Sequence, residues 1–148
     1  MTSWDDLPFE IKSQILILSI EAALTSTRIS YWNPSPSLLH ESVADVIRLL
    51  DVAPELRIEA EALVEFMIEK RLYQYCSIAD EMEANDEIIM ASDDDTAERL
   101  AARKGRDLMS RLEAFTKEIM ILTCLEEQLD RLYGSTREVR YHKILEFG

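Results

Sequence analysis

From about Asp95 to Tyr133, Leu108, Leu112, Phe115, Ile119, Leu122 and Leu129 recur at three- and four-residue steps. That spacing draws one apolar stripe down a long helix. The same period appears upstream. Leu39, Val43, Val46, Ile47 and Leu50 give a helix over 36–51, with Ser35 placed to cap it and Pro36 in its first turn. Leu56, Ala60, Leu63, Met67, Ile78 and Met82 give a longer helix over 54–84, widened by Phe66, Ile68, Leu72 and Tyr75. Between the two long helices, residues 85–95 read as an acidic connection, with Ile88, Ile89 and Met90 able to bury a short turn.

The first helix, over 8–24, opens at Pro8, with Asp5, Asp6 and Glu10 beside the positive end of its dipole. At 100° per residue it carries two apolar stripes on roughly opposite sides. Ile11, Ile15, Leu18 and Ala22 form one; Phe9, Leu16, Ile20 and Leu24 form the other. Such a helix needs cover on both faces, either wholly from its own fold or with one face left to a partner. Thr25 to Ser37 reads as a loop because Pro34 and Pro36 push the residues before them out of helical geometry, and it holds Tyr31 and Trp32.

The pattern predicts an all-α helical bundle of four to six helices in one domain over 1–148, with helices three and four long and antiparallel and 137–147 as a tail. Gly105 is the weak point of helix four, since glycine costs about 1 kcal/mol relative to alanine in a helix interior. Unbroken, the run over 95–133 would be about 58 Å long at 1.5 Å per residue, against a radius of gyration of about 15 Å for a compact domain of this size. Helix four is therefore expected to bend or break near Gly105. Gly134 closes it in the position favoured for glycine.

Composition narrows the chemistry. The chain is 47% hydrophobic, which suits a packed core, and its three glycines leave no phosphate-cradling loop. A net charge of −13 argues against nucleic acid and anionic membranes as partners. Neither a basic leader nor an apolar run of membrane-spanning length is readable, so the expected location is intracellular, cytoplasmic or nuclear. Cys76 and Cys124 show no metal spacing and read as reduced thiols too far apart to bridge.

Candidate catalytic groups are sparse. His40 and His142 have no second ligand at metal spacing. An EF-hand loop from Asp93 would place glycine sixth and glutamate twelfth, where Glu98 and Lys104 stand. Asp94-Asp95-Thr96-Ala97-Glu98 matches the aspartate-rich pattern with which isoprenoid-processing helical enzymes hold magnesium diphosphate, which makes a small magnesium-dependent enzyme one alternative. Capping and the helix dipole explain the same acids, and the expectation is a non-enzymatic protein without a cofactor. Arg99, Arg103, Lys104, Arg106 and Arg111 face Asp80, Glu81, Glu83, Asp86 and Glu87 across the expected hairpin, and read as a solvated charge face that helps set its register.

One stretch carries a functional signal. Trp4-Asp-Asp-Leu7-Pro8-Phe9-Glu10-Ile11, followed by Ile15-Leu16, resembles the opening of an F-box, a Leu-Pro-x-Glu-Ile/Leu signature with an Ile-Leu pair a turn later. The resemblance spans Trp4 to Ile20. The second half of that motif, with its closing tryptophan, has no counterpart, and no repeat follows. In that family the segment inserts between helices of the small adaptor subunit of cullin-based ubiquitin ligases. The resemblance implies a protein-interaction module that contacts the adaptor through Leu7, Pro8, Ile11, Ile15 and Leu18. From the residues alone, a self-associating structural bundle is the other alternative, because the stripe of the fourth helix is longer than helices one and two can cover.

Overall fold

A computed structural model describes residues 3–25, 29, 35–91 and 93–134. Among them every regular element is helical. A short 3₁₀ turn, Trp4–Asp6, precedes α1 (Phe9–Leu24); α2 (Pro36–Val52) leads through a second 3₁₀ turn, Pro54–Leu56, into α3 (Arg57–Ala91), and α4 (Asp95–Tyr133) follows. The expected loop residues Tyr31 and Trp32, and the tail over 137–147 with His142, lie outside the described residues. No helix among the described residues is long and apolar enough to cross a membrane.

Each helix starts where local chemistry allows. The carbonyl of Pro8 accepts the first amide bonds of α1, from Ile11 and Lys12, so the helix begins one residue later than the sequence suggests. Ser35 occupies the cap position of α2, but its hydroxyl makes no capping bond, and Pro36 sets the first turn. At α4 the Asp94 carboxylate accepts from the Thr96 amide at 3.0 Å, and Gly134, with φ 75°, ends the helix. That φ is the left-handed region where a side chain would be strained.

The core gathers at one end of the molecule. Leu16, Ile20 and Leu24 of α1 meet Val43, Val46 and Leu50 of α2. Leu56, Ala60 and Val64 close it from the start of α3, and Ile121, Leu122, Leu125 and Leu129 from the last third of α4. Each large aliphatic side chain buried there contributes about 1.5–3 kcal/mol. Tyr133 latches this end. Its hydroxyl donates to Asp51, and the Arg57 guanidinium lies 3.9 Å from its ring centroid. Burial first, and the Asp51 carboxylate second, hold the Tyr133 phenol above its ordinary value.

Beyond the core, α3 and α4 continue as an antiparallel pair. Arg71 of α3 pairs with Glu118 of α4 at 2.9 Å, and nearer the turn the Asn85 side chain donates to the Ala101 carbonyl at 2.8 Å. Two expectations are corrected here. First, α3 does not stop near Ala84. It runs 35 residues, through Ile88, Ile89 and Met90, because the Asn85 amide is spent across the hairpin instead of on its own backbone. Second, α4 is one continuous helix of 39 residues and is not broken at Gly105. The glycine serves contact: a β-carbon there would sit 3.3 Å from the Asn85 amide nitrogen. The Arg71–Glu118 pair sets the register of the two helices. Cys76 lies level with about Glu113, still about 17 Å along α4 from Cys124 at 1.5 Å per residue, and both thiols are free.

Candidate functional site

The amino-terminal segment is fastened down by a polar cluster. Lys12, on the buried side of α1, extends its ammonium to Glu55 at 3.0 Å and lies 5.5 Å from the Trp4 ring centroid. The Trp4 indole N–H donates to the same Glu55 oxygen at 3.1 Å. One residue on, the Ser13 hydroxyl donates to Glu59 at 2.8 Å. The Glu55 carboxyl is held below its ordinary value, first by its own backbone amide, then by Lys12 and Trp4. In the 3₁₀ turn the Asp6 carboxylate accepts from both the amide and the hydroxyl of Ser3. These bonds tie Trp4–Asp6 and the first turns of α1 to the start of α3.

With that side fixed, the two stripes of α1 separate. Leu16, Ile20 and Leu24 are buried, while Phe9 at the helix start stays exposed. On the opposite stripe Ile11 is 47% exposed and Leu18 55%. Ile15 between them is half-buried and Ala22 exposed. Leu7 is half-buried and Pro8 exposed, at the amino-terminal edge of the same surface. The structure thus brings Ile11, Ile15 and Leu18 onto one outward face, with Leu7 and Pro8 at its end.

Sequence reasoning missed the clamp. Lys12 reads as a polar separator between the stripes, and nothing local reveals that it reaches Glu55 or that Trp4 leans on it. The one available hint is position: Lys12 stands four residues before Leu16 on the core side of the wheel.

Elsewhere chemistry is thin. Among the described residues no group of three histidine, cysteine or acidic side chains is arranged to hold a metal ion. Asp93, Asp94 and Asp95 are exposed at the tip of the hairpin, with Asp94 engaged as a cap. His40, on α2, contacts Gln128 of α4 at 3.0 Å. Cys124 is buried, which raises its thiol above the ordinary value, with Glu127 adding to the shift. The acidic run 80–87 and the basic run 99–111 occupy the same stretch of the hairpin. No ion pair joins them among the described residues. The seam between the helices is filled by Ile78, Asn85, Ala101 and Leu108, and these charges stand outside it.

Compared with protein-family models, curated proteins and solved structures, the chain matches none.

Proposed function

We propose that the protein is a protein-interaction module that presents the outer stripe of α1 to a partner, and that its specific form is an F-box-like adaptor contact made through Leu7, Pro8, Ile11, Ile15 and Leu18. The observation that carries this reading is the exposure of Ile11 and Leu18, 47% and 55%, on a helix whose other stripe is buried in the core from Leu16 onward. Large aliphatic side chains in a row on a fixed helix are what a groove between partner helices accepts. The clamp supports the same reading, because a surface already ordered in the free protein loses less conformational freedom on binding.

The test is retention on the purified small adaptor subunit of cullin-based ubiquitin ligases. The wild-type chain is expected to be retained, and the Leu7→Ala/Ile11→Ala double variant lost, with unchanged helical circular dichroism. Absence of wild-type retention, or retention that ignores the double substitution, removes the adaptor form.

A further inference from the structure

The outer half of the α3–α4 hairpin has two unlike sides. Along one, Gln74, Ser77 and Glu81 of α3 line a cleft with Arg111 and Phe115 of α4, and the rim is polar. Along the other, Leu72 and Tyr75 meet Thr116, Ile119 and Met120 around a groove of ≈ 220 Å³ with almost no polar lining. Continuing that second side toward the tip on a coiled-coil repeat places Ala79 of α3 and Met109 and Ala102 of α4 beside the groove. Leu72 is 45% exposed and Met109 43%. At its inner end Ile119 and Met120 also border Pro36, Leu39 and His40 of α2; toward the tip the buried residues are Ile78, Asn85, Ala101 and Leu108, all of α3 and α4.

The charges at the edges of this face say what covers it. On the same repeat, Glu83 edges it on α3, Arg99 and Arg106 edge it on α4, and Asp86 ends the Leu72–Ala79 row. The Arg71–Glu118 pair and the Asn85–Ala101 bond bracket the register, and between them Glu83 stands level with the turn from Arg103 to Arg106. The face is therefore acidic on one helix and basic on the other at the same level. A two-fold rotation about an axis parallel to the hairpin lays α3 of one copy over α4 of the next without changing height. Only that arrangement sets each acid against a base; a two-fold axis across the hairpin would set α3 on α3.

We infer that this face binds a second copy of the chain, forming a four-helix bundle from two side-by-side hairpins, with Leu72, Ala79 and Met109 at its centre and Glu83–Arg106 contacts repeated on both edges. From Leu72 to Met90 the helices run about 27 Å and together span about 20 Å. Pairing would bury on the order of 1,000 Å² in all, the lower bound for a specific interface. The dimer is accordingly a micromolar one, sensitive to salt. This surface is separate from the outer stripe of α1, so it stands or falls independently of adaptor binding.

Sedimentation equilibrium across 5–300 μM tests it, with circular dichroism to show that each variant keeps its helices. The wild-type chain is expected to move from monomer to dimer mass across that range. Glu83→Arg and Arg106→Glu should each dissociate at least tenfold more readily. An equimolar mixture of the two variants should recover the dimer, because each reversed charge then meets its opposite. Monomer mass at every concentration overturns the proposal. So does a dimer indifferent to either reversal, or a mixture that fails to recover.

Discussion

A lysine on the core side of a helix is retained there only if its ammonium is answered, because an unpaired buried charge is costly. Lys12 is answered by Glu55, and Trp4 shares the acceptor. The sign of the resulting pH dependence follows from the carboxyl. Its value lies lower in the folded chain than the unfolded 4.5, so the stabilisation is fully present above that value and is lost as pH falls through the folded one. In thermal unfolding, Glu55→Gln is expected to lower Tm at neutral pH, with the gap to wild type narrowing as the pH falls below 4.5. No difference in Tm between Glu55→Gln and wild type at neutral pH would show that the carboxylate does not hold the clamp. The contact lies 43 residues apart in the chain. Periodicity places Lys12 on a face and says nothing of which acid will meet it there.

At the scale of the element, Gly105 and Asn85 form a unit. The glycine gives way to the amide that crosses from α3, and the amide shares a carbonyl already inside the ladder of α4. Asn85→Ala should cost about 1 kcal/mol, the net value of one such bond. In that background Gly105→Ala should recover about 1 kcal/mol through helix propensity, and distinctly less in the wild type, where the added methyl presses on Asn85. Urea unfolding of the four-member cycle measures the difference; additive effects would mean the two residues do not meet. The same pair shows what the sequence could and could not yield. The stripes of α2 and α4, the proline start of α2 and the glycine end at Gly134 were legible because they depend on neighbours within a turn or two, whereas α1 begins after Pro8 and α3 only at Arg57, past a 3₁₀ turn at Pro54. Gly105 and Asn85 each carry a helix-weakening signal, and each was read alone as an interruption. Their meaning lies in a contact across the hairpin, which no local pattern contains. The outward stripe Ile11, Ile15 and Leu18 was legible as one of two faces, but which face the core would take depended on the unseen clamp.

For the molecule as a whole, the division between a cored end and an uncovered hairpin has a dynamic consequence. Backbone amides exchange with deuterated solvent only when their helix opens, and opening costs more where more apolar surface must be exposed. Around Val64 and Leu125 four helices share the core, whereas around Ile78 and Leu108 a single pair of helices shields itself. The chain should therefore exchange in two tiers. In dilute solution, amides of 76–88 and 98–112 are expected to exchange through a local parting of the two helices, well before those of 58–66 and 119–129, which await global unfolding. Uniform protection along α3 and α4 would mean that the hairpin opens only with the rest. If instead the tiers appear, the long helices, unbroken in their geometry, behave as two cooperative units joined near the Arg71–Glu118 pair, and the outer unit samples a parted state while the inner one stays closed.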